Sequence, residues 1–309
     1  MAQGAGRGWG AILALTLAAA VLSVVHTWLL ILVPLALLLI ALPPWRPGLV
    51  LLGLALGYLA LPGDTGDPVA NAERGWVLLL GAWFVVAVVV RPAATFMSRA
   101  LMAVAATVVT AAGVLAMKSG AWAQLDWEIG RRLRAGTSDV LALLTYQLGA
   151  DPAGSGLVAA GYQAVQLQTR IYPALLALAS VAGLAVAWWI YRRLQDRESR
   201  PLAPLREFRF SDELIWAFIL GVVLVAFPLG EAAVRLGANM LAFTGVLYAL
   251  RGVAVILALA GAPGIGWIVF AALAVIFMYP LVMAATFVVG LTDTWLDLRS
   301  RRVAAGPGS

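Results

Sequence analysis

The sequence predicts an all-α protein: a polytopic transmembrane bundle of about eight to ten membrane segments with one extracytoplasmic helical insertion. Three observations carry this. Apolar stretches recur along nearly the whole chain, each approaching the roughly 20 residues that a helix needs to span hydrocarbon. These stretches are apolar all round, whereas a soluble core helix keeps one polar face. Finally, 63% of the 309 residues are hydrophobic and 12% are charged, against about 25% charged in a soluble domain. Backbone groups in lipid must pair within their own segment, so stretches of this length read as helices.

In chain order, the first segment is 9–25. Arg7 and the small residues Ala18–Ala20 fit a cleaved signal loosely, but the next segment, 28–42, follows within three residues, as the second arm of a helical hairpin does. A retained first helix is therefore expected. Segments 48–61, 75–90 and 100–117 complete the N-terminal group.

Residues 118–170 form the only sizeable region outside the membrane segments. Trp122, Leu125, Ile129 and Leu133 share one helical face, with Asp126, Glu128, Arg131, Arg132 and Arg134 elsewhere, the pattern of an amphipathic helix. Ser138 is expected to cap a second helix, apolar at Val140, Leu141, Leu144 and Leu148. Residues 151–156 read as a turn, and a third helix from Leu157 runs into segment 171–191. The region reads as a helical cap on the membrane surface; a lid over a ligand cavity is the sharper alternative.

Segments 213–228 and 237–260 follow. The last, 265–292, is interrupted by Pro280 and reads as one kinked helix or as two half-helices. The domains expected are thus 1–117, 118–170 and 171–302, with a disordered tail over 303–309.

Arginine placement orients the segments. Arg7, Arg46, Arg91, Arg99, Arg192, Arg193, Arg197, Arg200, Arg206 and Arg209 fall on one side if the first segments alternate, and that side is the cytoplasm. Residues 63–74 and 118–170 then lie outside. Arg299, Arg301 and Arg302 place the end of the chain inside, which requires an even number of crossings after residue 212; three apolar segments are found there. The expected location is the inner membrane of a bacterium, with the lipid bilayer as the first partner.

Much chemistry is excluded. There is no cysteine, and the single histidine, His26, cannot make a histidine metal cluster. Lys118 is the only lysine. It follows Met117, and Ala112 stands where a P-loop needs its first glycine, so no P-loop ATPase is present. There is no HExxH zinc motif, and Ser155 reads as a turn residue. No catalytic residue, metal or cofactor is expected, and the protein reads as a non-enzyme. The net charge of +6 resides at helix ends, where topology and lipid headgroups account for it, and does not indicate nucleic acid.

Ionisable residues inside membrane segments are site candidates. Arg251 is the clearest, and Thr244, Tyr248 and Arg251 follow at i, i+4, i+7 spacing. The stripe either faces a polar cavity that holds a small-molecule ligand, or Arg251 snorkels to a headgroup. Asp293 reads as a marker of the membrane exit. Small residues recur at four-residue spacing in Gly10, Ala14 and Ala18, in Gly53 and Gly57, and in Ala179, Gly183 and Ala187. They serve internal packing or, as for Ala14 and Ala18, docking of a membrane partner subunit. Arg206, Phe208 and Arg209 interleave cations and rings before a membrane helix, a pattern suited to the cytoplasmic interface or a partner.

The second half of the chain carries a family pattern. Tyr172-Pro173 opens a helix ending in Tyr191-Arg192-Arg193. The loop Pro204-Leu205-Arg206-Glu207-Phe208-Arg209-Phe210 precedes Asp212. Asn239-Met240-Leu241, Tyr248 and Arg251-Gly252 follow, and the end reads Gly290-Leu291-Thr292-Asp293-Thr294-Trp295-Leu296-Asp297-Leu298-Arg299. This resembles the YybS-like family of uncharacterised bacterial membrane proteins, over about residues 171–302; residues 1–117 resemble it only in hydropathy. The resemblance implies a fold related to the substrate-binding S components of energy-coupling-factor transporters and to the scaffold MreD. It implies no catalytic residue. Two functions are therefore expected as alternatives: an S-component-like binding or transport subunit for a small metabolite, or a non-transporting scaffold in envelope assembly.

Overall fold

The computed structural model describes residues 26–43, 45–60, 67–148, 157–196, 202, 204–260 and 265–298. Nine α-helices and one 3-10 turn, and no strands, are present among them: α1 (Thr27–Ala41), α2 (Pro47–Ala60), α3 (Pro68–Val90), α4 (Phe96–Ala116), α5 (Ala121–Leu148), α6 (Leu157–Gln195), the 3-10 turn Leu205–Glu207, α7 (Leu214–Ala226), α8 (Glu231–Ala260) and α9 (Ile265–Leu296). The all-α polytopic reading holds. The expected segment 9–25, with Ala14 and Ala18, lies outside the described residues, as do 149–156 and the tail.

Among the described residues, four helical stretches are long and apolar enough to cross a membrane: Pro68–Val90, Phe96–Ala116, Gly161–Gln195 and Glu231–Ala260. Trp28–Ala41, Pro47–Ala60, Leu214–Ala226 and Pro280–Leu296 are apolar but shorter. The hydrophobic runs marked the helices correctly but misjudged several ends. Helix α3 begins at Pro68, not near residue 75. Asp67 caps it by accepting a hydrogen bond from the Val69 N–H at 3.0 Å, and Pro68 occupies the first turn, where its missing N–H costs nothing. Thr95 caps α4 by accepting from the Ser98 N–H.

The helices form two units, residues 1–201 and 202–309. In the first, α1 is central and packs on α2, α3 and α6. Glycines set the crossings. A Cβ on Gly183 would lie 2.7 Å from the Leu30 carbonyl oxygen, and one on Gly53 would lie 3.0 Å from that of Ala36. Ala179 and Ala187 are fully buried. The 179–187 ladder is therefore internal packing.

Helix α5 is a single helix of 28 residues, which corrects the expected break at Ser138. The Ser138 hydroxyl donates back to the Arg134 carbonyl, so it bonds within the helix and caps nothing. The amphipathic face was read correctly: Ile129 and Leu133 bury against Val165 and Tyr172 of α6, with Leu125 and Leu176 packed beside them. Helix α6 runs unbroken for 39 residues from the surface region into the bundle, through Pro173.

In the second unit, α8 packs on α7, on α9 and on the 3-10 turn. Helix α9 is one element with a kink. Met278 departs from helical angles (φ −127°, ψ 29°) two residues before Pro280, whose ring denies the helix a hydrogen bond.

Candidate functional site

The last unit is organised around a buried cation. Arg251 stands on α8 with its side chain 5% exposed. Its Nε donates to Asp293 Oδ2 at 2.9 Å, one terminal nitrogen donates to Asp212 Oδ1 at 2.7 Å, and the other donates to the Asp293 carbonyl at 3.3 Å. The Asp293 side chain is fully buried, and its second oxygen accepts from the Leu298 N–H at 3.2 Å. Asp212, on the loop before α7, is 63% exposed and draws the pair towards the surface. The guanidinium also lies over the Phe210 ring, 5.4 Å from its centroid.

Asp293 therefore does more than mark an exit: it is the buried counter-charge of Arg251, beside the exposed Asp212. Arg251 does not snorkel to a headgroup, because its donors end on protein acceptors. The insertion cost of a lone arginine, about 2.5–3.5 kcal/mol at a helix centre, is offset by the carboxylate it meets.

The other two residues of the stripe lie where the spacing put them, and both face protein. Thr244 is buried and its hydroxyl donates to the Met240 carbonyl. Tyr248 is enclosed by the rings of Phe210, Phe218 and Phe287 at 5.2–6.3 Å. Arg206 reaches Glu207 at 3.8 Å, and Arg209 is paired with Asp297, which closes the end of α9 with a φ of 39°. Phe208 stacks edge-on to Phe210.

Immediately beside Arg251 in the chain, at Gly252, α8 and α9 touch backbone to backbone. A Cβ on Gly252 would lie 1.8 Å from the Thr286 carbonyl oxygen, and one on Gly290 would lie 1.9 Å from that of Tyr248. Only glycine permits this approach, and it is the approach that brings Arg251 within reach of Asp293.

The first unit holds a cavity of about 360 Å³ between α3, α4, α5 and α6. Its wall is mostly apolar, with Val69, Leu79, Leu115, Leu125, Ile129 and Leu176 among the lining residues. The polar groups that reach it are Asn71, Glu73, Trp76, Lys118 and Tyr172. Glu73 was read as part of an outer loop. It sits instead inside α3, its side chain 5% exposed, and its Oε2 lies 3.2 Å from His26 Nδ1. The stripe Val69, Glu73, Trp76, Leu80 at i, i+4, i+7, i+11 was the signal available in the sequence. Trp76 also donates its indole N–H to Ser180 of α6 at 2.9 Å.

Helix α5 is fastened over this cavity by charge. Arg132 pairs with Asp67 and, at 3.4 Å, with Glu128; Arg131 Nε donates to Glu128 at 2.8 Å. Partial burial works against ionisation of Asp67, but Arg132 and the Val69 N–H outweigh it and hold its carboxyl below the usual carboxylate range. Glu128 is likewise held low, first by its hydrogen bond from Arg131. Among the described residues no group of three metal-ligating side chains occurs.

Fold and site together define a multi-pass, all-α membrane protein with an amphipathic helix over an apolar cavity and a buried ion pair between two membrane helices. The chain belongs to the DUF2232 family of predicted membrane proteins, whose family model matches residues 90–294. That span takes in α4 to α8 and α9 as far as Thr294, hence Arg251 with Asp212 and Asp293 and three of the four walls of the cavity, but not α3 with Glu73. No curated protein matches the chain, and no solved structure does.

Proposed function

We propose that the protein is a membrane-embedded binding subunit for a small molecule, similar in role to the S components of energy-coupling-factor transporters, as the YybS-like pattern of its second half suggests. It performs no catalysis. It has no ATPase of its own and draws on a membrane partner subunit in the bacterial cytoplasmic membrane. The observation that carries this reading is the α3–α6 cavity: it is walled by four helices and open at one side, apolar with a few convergent polar groups, and of a size at the lower end of the about 300–1,000 Å³ usual for ligand sites. It lies where α3 starts and α4 ends, on the side that the arginine asymmetry assigns to the exterior. Ligand binding thereby moves from the Arg251 stripe to this cavity, and Arg251, Tyr248 and Thr244 hold the second unit together. The Arg206–Arg209 loop is the surface offered to the partner; Ala14 and Ala18, the other candidates from the sequence, lie outside the described residues.

Organic extracts of the purified wild type and of Gly75→Trp test the reading, since an added side chain at Gly75 meets only open space at the cavity wall. A compound enriched in the wild type and missing from the variant is expected. Identical extracts would remove the binding function.

A second reading, a non-transporting scaffold, is favoured by the second unit, whose ion pair and glycine crossing build a rigid block. Normal uptake with disturbed cell shape in a deletion strain would select it.

A further inference from the structure

We infer that the α3–α6 cavity takes the apolar chain of a single-chain anionic amphiphile, with its headgroup on Lys118. This rests on the reading of that cavity as the binding site and names the class of ligand. Three features lead to it. First, most of the wall is apolar, so a polar metabolite would lose its water there and regain few hydrogen bonds. At about 360 Å³ the cavity has room for one chain and not for two. Second, the cavity is open at its side. Gly75 of α3 and Val114 of α4 line it and are themselves exposed, and a side chain at Gly75 would meet nothing within 4 Å. Both stand on membrane-spanning helices, so the opening faces lipid and an amphiphile can enter from the bilayer.

Third, the two charges in the wall are not equivalent. Glu73 is buried, engaged by His26, and lies within the field of Arg132. Its charge is already answered. Lys118, the only lysine of the chain, stands exposed at the end of α4, and its ammonium meets no carboxylate among the described residues. A headgroup placed there would be an anion, phosphate or carboxylate, at the level where the exposed Trp122 and Trp127 of α5 mark a membrane interface.

The test uses the full chain in nanodiscs of phosphatidylcholine. The probes are 12-bromododecyl phosphate and 12-bromododecyl trimethylammonium, whose bromine quenches indole fluorescence at contact. Trp76 lines the cavity, and its signal is the difference between wild type and Trp76→Phe. The phosphate probe should quench Trp76 saturably, at a concentration at least tenfold below that of the cationic probe. Lys118→Glu should reverse that order, and Gly75→Leu should abolish saturable quenching by both. Equal or better quenching by the cation in the wild type would overturn the headgroup assignment and leave the cavity as a binding site. Saturable quenching that survives Gly75→Leu would overturn the cavity reading itself. Lys118→Glu changes an exposed side chain outside any packed contact, so the headgroup test stands even if the glycine variant fails to fold.

Discussion

Arg251 Nε and Asp293 Oδ2 lie 2.9 Å apart inside the second unit, joined from α8 to α9 across 42 positions of chain. Asp293, fully buried, depends on Arg251 for its counter-charge, whereas Arg251 also reaches Asp212. Arg251→Leu alone leaves Asp293 charged and buried, and should cost about 3–5 kcal/mol, the usual result of removing one member of a buried pair. The double variant Arg251→Leu, Asp293→Leu should recover most of that loss, because two apolar side chains carry no desolvation penalty. Thermal unfolding in one detergent, read over the four members of the cycle, checks this; equal damage in the single and double variants would show that the pair is not coupled.

The glycine crossing should be as sensitive as the ion pair. Gly252→Ala and Gly290→Ala each place a methyl on a carbonyl oxygen of the facing helix, so the helices must separate. The expected cost is at least about 1–3 kcal/mol, the range for overpacking. Gly245→Ala on the same helix meets nothing within 4 Å and should be neutral or slightly stabilising. Unfolding temperatures of the three variants decide the matter.

Acid should loosen α5. Asp67 has a carboxyl held below its unfolded value by Arg132 and the Val69 N–H, against the opposing effect of burial. Its stabilisation is therefore full above the unfolded pKa, about 3.9, and is lost as pH falls through the lower folded value. Limited proteolysis within α5, followed from pH 6 to pH 2.5, should accelerate at the acid end. Arg132→Gln should weaken that dependence by removing the main partner.

Arg209 and Asp297 are each about half exposed, so their pair should contribute no more than about 1 kcal/mol. Arg209→Glu is then expected to leave the fold intact. If it nonetheless abolishes co-purification of a cytoplasm-facing protein, while the charge swap Arg209→Asp with Asp297→Arg does not restore it, the loop is a partner surface and not an internal clamp.

Reporter fusions check the orientation. Alkaline phosphatase joined after residue 138 should be active, and joined after residue 200 inactive, because arginine-rich segments stay in the cytoplasm. The opposite pattern would invert the side to which the cavity opens.

The helices were legible in the sequence because length and all-round apolarity are local properties. So was the inward face of α5, where Ile129 and Leu133 repeat at helical spacing. Helix ends were harder. Asp67 and Pro68 begin α3 within what looks like an acidic loop, since a cap is a property of two or three residues and leaves hydropathy unchanged. Ser138 misled in the opposite direction: its hydroxyl has an acceptor one turn back in the helix, and nothing in the sequence says which acceptor it takes. The partner of Arg251 was not legible at all. Spacing puts Thr244, Tyr248 and Arg251 on one stripe but says nothing about the helix opposite, and Asp293 reaches Arg251 only through the Gly252–Gly290 approach. Charge balance narrows the choice of partner, because Asp212, Asp293 and Asp297 are the only aspartates after residue 200.

Helix α6 has a mechanical consequence. At about 1.5 Å per residue, its 39 residues make a rod of about 58 Å, nearly twice the roughly 30 Å of the hydrocarbon layer. One end carries Val165 and Tyr172 against α5; the other carries Gly183 against Leu30 and Tyr191 against the Pro43 carbonyl. Pro173 lies between these contacts, and there the rod lacks one backbone hydrogen bond. Helix α6 thus joins the face beside Tyr172, where the cavity lies, to the Tyr191 contact with Pro43 through a single continuous element.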